Sequence, residues 1–201
     1  MALNIDPWSF PAAEVDPKGE GETSIVLGGG CFWCVEAVFK QLPGVLAVRP
    51  GYAGDTAETA DYETVSGGDT DHAEVVEVAY DAARVGLGEI LKVFFAIAHD
   101  PTEMNRQGPD VGRQYRSAIF YKDAKQREVA EAYMKQIERA HLFDRPLATT
   151  LEPLTAFHPA EAYHHDYAAR NPFQPYIRFV AKPKAEKRRA YQTHAAEEKA
   201  R

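Results

Sequence analysis

The chain has 201 residues, a net charge of −7 and an apolar content of 45%. This composition suits one domain of ordinary core size, and the acidic balance argues against binding to nucleic acid or to anionic membrane surfaces. No apolar run is long enough to span a bilayer, and residues 1–17 lack the cationic start and apolar stretch of a signal peptide. The two cysteines lie three positions apart and are not the disulfide framework of a secreted scaffold, so we expect a cytoplasmic protein. Without coiled-coil heptads there is no reason to assume an oligomer, and we expect a monomer.

The first half of the chain alternates short β-prone runs with helical patterns of apolar residues. Residues 1–22 are rich in Pro, Glu and Gly and predict a flexible arm, and residues 55–72 predict an exposed loop. Strands are predicted at Ser24–Leu27, Val45–Val48 and His72–Tyr80, and helices at Cys31–Gln41 and from Leu87 to Ala98.

The second half predicts a similar mixture of elements. After a loop at Asp100–Arg113 come a strand at Tyr115–Tyr121, a helix capped by Asp123 that runs to Ala140, a strand at Leu147–Leu154 and a helix at Ala160–Arg170. Residues 182–201 are charged and predict a solvated tail, and we interpret the basic cluster Lys182–Arg189 in the same way rather than as a docking site.

The order of these elements is β-α-β-β-α-β followed by further segments. This order is typical of the split βαβ, or ferredoxin-like, motif. It predicts an α+β two-layer sandwich in which helices cover a mixed, mostly antiparallel sheet. We expect a single catalytic domain over residues 23–181.

The most informative segment is a cysteine at a predicted helix start. Cys31 follows the three glycines 28–30 and precedes Phe32 and Trp33. The positive end of a helix dipole lowers the pKa of a thiol, so the sequence predicts a reactive thiolate at Cys31. Cys34 lies one helical turn further on, where side chains at i and i+3 meet, so the two sulfurs are expected to be neighbours.

Several other interpretations of this pair stay open at this point. An inert buried thiol is common at such a position. A zinc site would need further ligands, and His158, His164 and His165 do not follow a recognised ligand spacing. The glycines lack the Lys and Ser or Thr of a phosphate-binding loop. Cys-x-x-Cys at a helix start is also the signature of thioredoxin-like thiol–disulfide exchange, although the bulky pair between the cysteines resembles the wall of an apolar pocket.

A series of motifs resembles the A-type peptide methionine sulfoxide reductases. The likeness covers the chain from Ser24 to Arg189, and each motif is in order. The motifs are Gly-Cys-Phe-Trp at 30–33 with Val-Glu-Ala-Val-Phe after it, Tyr62-Glu-Thr-Val, His72-Ala-Glu-Val, His99-Asp-Pro, Arg106-Gln-Gly-Pro-Asp, Gly112-Arg-Gln-Tyr-Arg-Ser, Pro159-Ala-Glu-Ala-Tyr-His-His-Asp-Tyr and Asn171-Pro.

The resemblance implies an enzyme that reduces the S-epimer of methionine sulfoxide, free and in proteins. It implies that Cys31 attacks the sulfoxide sulfur and becomes a sulfenic acid, with no bound cofactor and no metal. Glu74 is implied as the acid that protonates the sulfoxide oxygen. The remaining implied site residues bind the substrate: Phe32 and Trp33 at its S-methyl group, Tyr62 and Tyr115 at its oxygen, and Asp110 as a supporting polar group.

Elementary chemistry supports the assignment of Glu74. A sulfoxide oxygen leaves poorly until it gains a proton, so an acid must stand near the nucleophile. On a strand, Glu74 shares a face with Val76, Val78 and Tyr80, and a carboxyl on an apolar face has a raised pKa. A solvent-facing position is the competing interpretation. By default Tyr62 and Tyr115 would be packing residues and Asp110 a turn residue, so their roles rest on the resemblance.

The chain departs from the family at its recycling thiol. Many members have Gly at the position of Cys34 and carry a resolving cysteine near the C-terminus, whereas here Tyr176 is followed by Ile177 and the sequence contains only two cysteines. We expect Cys34 to resolve the sulfenic acid as a 31–34 disulfide that thioredoxin reduces. The alternative is direct reduction by another, external thiol. A general thiol–disulfide oxidoreductase and a sulfoxide-binding module are the competing functions.

Overall fold

The computed structural model describes residues 5–17 and 19–199, with side chains described as far as residue 193. Parts of the predicted arm and tail, at residues 1–4, 18 and 200–201, lie outside this range. The described residues form a six-stranded sheet in the order β7-β6-β1-β3-β2-β8. Its strands are β1 (Glu22–Gly29), β2 (Val45–Ala53), β3 (Ala73–Asp81), β6 (Ser117–Tyr121), β7 (Thr150–Pro153) and β8 (His158–Pro159), and a separate hairpin pairs β4 (Arg106–Gln107) with β5 (Asp110–Val111).

The centre of this sheet confirms the predicted split βαβ motif. Strand β3 lies between β1 and β2 and is antiparallel to both, so the strands joined by the first helix are parallel but not adjacent. Strand β1 likewise separates β3 from β6, while β7 extends the sheet by parallel pairing with β6. The helices are α1 (Phe32–Phe39), α2 (Tyr62–Gly67), α3 (Leu87–Val93), α4 (Ala124–Arg139), α5 (Tyr167–Arg170) and α6 (Lys182–Lys199).

The two faces of the sheet follow the period of two along each strand. Ile25 and Leu27 of β1 belong to the large core beneath the helices, whereas Val26 packs in a smaller cluster on the opposite face. In β3 the same alternation places Val76 in the helix-covered core and Val75 in the smaller cluster. The side chain of Glu74 therefore projects toward the helices, as the sequence predicted.

Several predicted boundaries differ from the structure. The expected loop over 55–72 contains α2, which Asp61 caps by accepting a hydrogen bond from Thr64 N at 2.9 Å. The expected loop over 100–113 contains the β4–β5 hairpin. The predicted helix over 160–170 is broken because Asp166 adopts a left-handed backbone conformation with φ 56°, and only Tyr167–Arg170 is α-helical after it.

The N-terminal segment is packed rather than loose in the part that the structure describes. Phe10 is 1% exposed and lies edge-on to the ring of Phe143 at 5.8 Å between centroids. Tyr133 of α4 donates a hydrogen bond from its hydroxyl to the carbonyl of Pro11 at 3.0 Å, and Gln136 Nε2 donates to the carbonyl of Ala12 at 2.7 Å. Apolar burial and these two bonds hold the segment against α4.

The expectation of a solvated C-terminal tail is also wrong for the described residues. Helix α6 continues from a π-helical turn at Ile177–Ala181 and packs on α1. Tyr191 is buried and stacks on Trp8 at 4.2 Å between ring centroids. The charge-rich composition concealed a buried stripe at helical spacing, formed by Ile177, Ala181, Lys184, Ala185, Arg188 and Tyr191. The division into a single catalytic domain over 23–181 stays a prediction.

Replacing Phe10 with Ala tests whether the N-terminal segment belongs to the core. Loss of a buried aromatic ring costs about 3–5 kcal/mol, so the free energy of unfolding measured in denaturant should fall by that amount. Leu46→Ala is the matched control, because Leu46 is 50% exposed and its loss should cost about 0.5 kcal/mol or less. Equal unfolding midpoints for the two variants would show that the segment contributes nothing.

Candidate active site

Cys31 lies at the junction between β1 and α1. It is the N-cap residue of α1, and its carbonyl accepts hydrogen bonds from Cys34 N at 3.0 Å and Val35 N at 3.4 Å. Gly30 just before it has φ 82°, and a Cβ atom there would approach Gln107 Cβ to 2.5 Å. Glycine is required at this position because the β4 segment passes directly over the backbone.

The electrostatic surroundings of Cys31 contradict the predicted low pKa. Burial raises the pKa of the Cys31 thiol well above its ordinary value, and hydrogen bonding to Cys34 and the charges of Cys34 and Glu74 raise it further. Desolvation outweighs the helix dipole here because the Cys31 side chain is 7% exposed and faces acidic groups. The first turn of a short helix supplies only a partial positive charge.

The pKa of Cys34 shifts in the opposite direction, below its ordinary value. Hydrogen bonding with Cys31 lowers the pKa of Cys34 despite its burial, and the charge of Lys184 lowers it further. Cys34 Sγ also lies 3.8 Å from the hydroxyl oxygen of Tyr176. The two thiols are therefore unequal, and Cys34 loses its proton more readily than Cys31 does.

Glu74 lies beneath the first turn of α1. Its Oε2 accepts a hydrogen bond from Phe32 N at 3.1 Å, and the residue is 2% exposed. Burial raises the pKa of this carboxyl to about 8, while the hydrogen bond from Phe32 opposes the shift. At neutral pH the carboxyl holds a proton that it can donate, which agrees with the expectation from its strand position.

The structure brings the predicted tyrosines and Asp110 to the same site. Burial and the charges of Glu74 and Cys31 raise the pKa of Tyr62. Burial and the charges of Glu74, Asp110 and Cys31 likewise raise the pKa of Tyr115. Tyr62 begins α2, and Tyr115 ends a 3₁₀ turn at Arg113–Tyr115. Two neutral phenols therefore face the cysteine and the carboxyl from separate elements.

The aromatic wall of the site is built from Phe32 and Trp33. Phe32 is fully buried, whereas Trp33 stacks on Tyr167 with ring centroids 3.9 Å apart. The indole N–H of Trp33 donates to His164 Nδ1 at 3.1 Å, and the ring meets Tyr176 edge-on at 6.2 Å. The orientation of the indole is thus held by residues from the last quarter of the chain.

Several site residues had no assigned role in the sequence analysis. Tyr176 donates a hydrogen bond from its hydroxyl to the carboxylate of Asp110. Glu161 anchors the other side of the pocket, accepting from Tyr52 Oη at 2.9 Å and from Tyr62 N at 2.9 Å. These residues lie in or beside the quoted family motifs, but spacing carried no sign of their contacts. Ile177, where many family members have a cysteine, is buried against Cys31 and Cys34.

The alternative of a zinc site finds little support in the geometry. His164 Nδ1 accepts the hydrogen bond from Trp33 and so does not face the cysteine pair as a ligand. Among the residues that the structure describes, no group of three or more His, Cys, Asp or Glu side chains is arranged to hold a metal ion.

Glu74→Gln tests the burial of the carboxyl through the pH dependence of stability. The pKa of Glu74 rises from 4.5 to about 8 on folding, so its contribution to stability is present below 4.5 and is lost as pH rises toward 8. The variant should become more stable relative to the parent over this range, by at most about 1.4 kcal/mol per pH unit. Unfolding in denaturant at a series of pH values measures the difference.

Glu77→Gln is the matched control from the same strand. Burial raises the pKa of Glu77, but hydrogen bonds from Arg49 and Ser24 outweigh it, so the net shift is downward. Its contribution is present above the unfolded pKa and is lost as pH falls, which is the opposite sign. If both variants showed the same trend with pH, the buried acid at Glu74 would be refuted.

Comparison with known proteins agrees with the geometry. A family model described as peptide methionine sulfoxide reductase matches residues 23–197. Peptide methionine sulfoxide reductase MsrA 2 of Synechocystis is 48% identical over 190 residues, covering 91% of this chain and 89% of the relative. The MsrA of Thermus thermophilus is 53% identical over 168 residues, which cover 84% of this chain and 94% of the relative.

Solved structures give the same result. Reduced Mxr1 from Saccharomyces cerevisiae superposes with a TM-score of 0.70 at 33% identity, covering 80% of this chain and 92% of that one. Methionine sulfoxide reductase A of Corynebacterium diphtheriae superposes with a TM-score of 0.67 at 34% identity, covering 78% of each chain. The chain belongs to the peptide methionine sulfoxide reductase family.

Proposed function

We propose that this protein reduces methionine S-sulfoxide, free and within oxidised proteins, through a sulfenic acid on Cys31. One observation carries the proposal: a protonated, buried carboxyl at Glu74 is hydrogen-bonded to the residue that follows the cysteine. This hydrogen bond holds the proton donor on β3 close to the nucleophilic sulfur at the start of α1. Family membership supports this reaction over general thiol–disulfide exchange.

Substrate binding follows from the polarity of the site. The S-methyl group lies against Phe32 and Trp33, whose rings are 6.2 Å apart between centroids. The sulfoxide oxygen points to the carboxyl of Glu74 and the hydroxyls of Tyr62 and Tyr115, since these groups are held in their neutral, donating forms. Asp110 supports this arrangement through its hydrogen bond from Tyr176.

In the first step the Cys31 sulfur attacks the sulfoxide sulfur while Glu74 protonates the sulfoxide oxygen. Cys34 reacts as the thiolate and accepts the Cys31 proton, since Cys34 ionises more readily than Cys31. The S–O bond of the substrate and the new S–S bond then break as the hydroxyl group transfers to the Cys31 sulfur, so Cys31 is oxidised by two electrons to a sulfenic acid and methionine leaves as the reduced product. The acid matters because the developing oxyanion is generated in a site with little water.

In the second step Cys34 resolves the intermediate. Its sulfur attacks the Cys31 sulfur, the S–S bond forms, the S–O bond breaks and the oxygen leaves as water. Cys34 is 1% exposed and one turn from Cys31, so an external thiol reaches the sulfenic acid less readily than Cys34 does. Thioredoxin, or another thiol, then reduces the disulfide and closes the cycle.

The setting of the enzyme is a further part of the proposal. We expect it to act in the cytoplasm, as a monomer, in repair of proteins damaged by oxidative stress. Within the described residues, none of the helices combines the length and the apolar composition that a membrane crossing requires. The reductant and its docking mode are open to experiment.

A single-turnover measurement tests both steps. Without added reductant, the parent protein should form one methionine per chain and lose two thiols. Cys34→Ser should still form methionine and lose one thiol, at a lower rate because Cys34 no longer accepts the Cys31 proton, whereas Cys31→Ser should form none. Loss of only one thiol from the parent would assign recycling to an external reductant, and turnover by Cys31→Ser would overturn the proposal.

Glu74→Gln isolates the acid in the same assay. Because general acid catalysis contributes about 10²–10⁴-fold, methionine formation should slow by a factor in that range. In the parent, the rate should decline as pH rises through about 8, where the carboxyl loses its proton. Glu77→Gln serves as control and should leave the rate unchanged. A Glu74→Gln variant as fast as the parent would remove Glu74 from the mechanism.

A further inference from the structure

One buried histidine of the site has no part in the chemistry above. His164 is fully buried, and its ring contacts aromatic side chains on both sides of the pocket. Its centroid lies 4.9 Å from that of Phe32 and 5.8 Å from that of Trp33, on the side proposed for the methyl group. It lies 4.6 Å from the ring of Tyr62, on the side proposed for the sulfoxide oxygen. The histidine is therefore placed between the two halves of the pocket.

The hydrogen bond with Trp33 determines the tautomer of His164. An indole N–H can only donate, so His164 Nδ1, 3.1 Å from Trp33 Nε1, must carry a lone pair. The proton of the neutral ring is then on Nε2, which faces Glu161 Oε2 at 3.6 Å. Protonation of the ring would add a hydrogen to Nδ1 and set two N–H groups against each other. The ring can therefore accept the indole hydrogen bond only in its neutral form.

A short 3₁₀ turn, Ala162–His164, holds the histidine in place. The amide of His164 donates to the carbonyl of Glu161 at 2.9 Å. The Glu161 carboxylate is itself fixed, since it accepts from the hydroxyl of Tyr52 on β2 and from the amide of Tyr62 at the start of α2, both at 2.9 Å. The turn that presents Nδ1 to the indole is thus anchored to two other elements, which gives the acceptor a fixed position.

The groups that face His164 favour its neutral form. Glu161 and His165 act on it from the same segment, Tyr62 faces it from α2, and Tyr163 and the two aromatic residues of α1 contribute uncharged rings. Burial lowers the pKa of His164 below its ordinary value of 6.5, the charge of Glu161 opposes this shift, and the charge of His165 adds to it. Since the net shift is downward, the ring is neutral at pH 7 and Nδ1 can accept.

Stacking alone does not fix the orientation of the Trp33 indole. Its ring lies on that of Tyr167 with an interplanar angle of 11°, which sets the plane of the indole. Two stacked rings can still turn or slide relative to each other within that plane. The hydrogen bond from Nε1 to His164 removes this freedom, because it fixes the direction of the N–H bond.

We propose that His164 is a positioning residue for substrate binding: its Nδ1 holds the Trp33 indole in the orientation that receives the S-methyl group. The inference rests on the proposed placement of that group against Trp33. His164 forms no covalent bond in the cycle and exchanges no proton with the substrate. Its effect is on the shape of the pocket before the sulfoxide reacts.

The first experiment observes the indole hydrogen bond without any sulfoxide. In a Trp8→Phe background Trp33 is the one remaining tryptophan, so its indole N–H gives a single resonance in an NMR spectrum of the ¹⁵N-labelled protein. In His164→Phe, which keeps an aromatic ring but has no acceptor, this proton should exchange with solvent about tenfold faster. His164→Asn offers an amide oxygen near the position of Nδ1 and should restore the parent exchange rate.

Acidification tests the same bond without a substitution at 164. As pH falls below 6.5, the Trp33 resonance of the parent should shift because Nδ1 gains a proton. In His164→Asn it should not move, since an amide does not titrate in this range. This measurement serves if the Phe variant folds poorly. Equal exchange rates in His164→Phe and the parent, or equal pH profiles in His164→Asn and the parent, would overturn the inference.

The second experiment measures the effect on substrate binding. In single-turnover reactions at pH 7 over a series of sulfoxide concentrations, His164→Phe should raise the half-saturating concentration about tenfold, as expected for loss of one hydrogen bond. The maximal rate should change by less than about twofold, because the reacting groups are intact. His164→Asn should behave as the parent at pH 7.

His165→Asn is the matched control, because His165 is the adjacent, half-buried histidine. It should leave both kinetic quantities unchanged at pH 7. A lower maximal rate in His164→Phe with an unchanged half-saturating concentration would contradict a role in binding. If the parent itself forms no methionine, the proposed function fails, and the indole resonance separately decides whether His164 holds Trp33.

Discussion

The site depends on the hydrogen bond between Phe32 N and the carboxyl of Glu74, 3.1 Å long and buried on all sides. It joins the first free N–H of α1 to the middle strand of the split βαβ motif, so it satisfies a helix-end donor and a buried acceptor at once. The same bond sets the distance between Cys31 and the acid. Moving α1 relative to β3 would leave both polar groups unpaired in an apolar core, which is why the geometry is well determined.

Burial is the largest cause of the pKa shifts in this site. It raises the pKa of Cys31, Glu74, Tyr62 and Tyr115 together, because every one of them is more easily accommodated in its neutral form. A set of neutral proton donors around one sulfur suits a reaction in which a sulfoxide oxygen must gain a proton. The helix dipole, which the sequence suggested as the activating influence on Cys31, is the smaller effect.

The C-terminal third of the chain completes the pocket. Trp33 is held by His164 and Tyr167, and Asp110 is held by Tyr176, although these partners are far apart in sequence. The π-helical turn before α6 then places Ile177 and Ala181 on the two cysteines. With an isoleucine at this position, the segment shields the thiols from solvent and supplies no second-site thiol. Oxidised Cys31 must therefore be reduced either by Cys34 beside it or by an external thiol.

The sequence alone was sufficient for the elements with strong periodicity and for the motif that carries the nucleophile. The alternation in β3 placed Glu74 on the core side, the Asp123 cap predicted the start of α4, and the order of elements predicted the split βαβ core. The family resemblance named the residues that the fold brings together. These signals are local, and a local pattern of side chains is enough to decide which face of a strand or helix is buried.

Only the tertiary structure decided the ionisation of the site residues and the packing of the N-terminal and C-terminal segments. The charge-rich composition of segment 182–193 predicts a solvated tail when the surfaces it packs against are unknown. In the structure its buried stripe packs on α1, and Lys184 is among the covered residues. In the same way, the pKa of Cys31 depends on desolvation by residues distant in sequence, which no spacing records. Burial is a property of the assembled fold, and ionisation follows burial, so both were beyond the reach of the sequence.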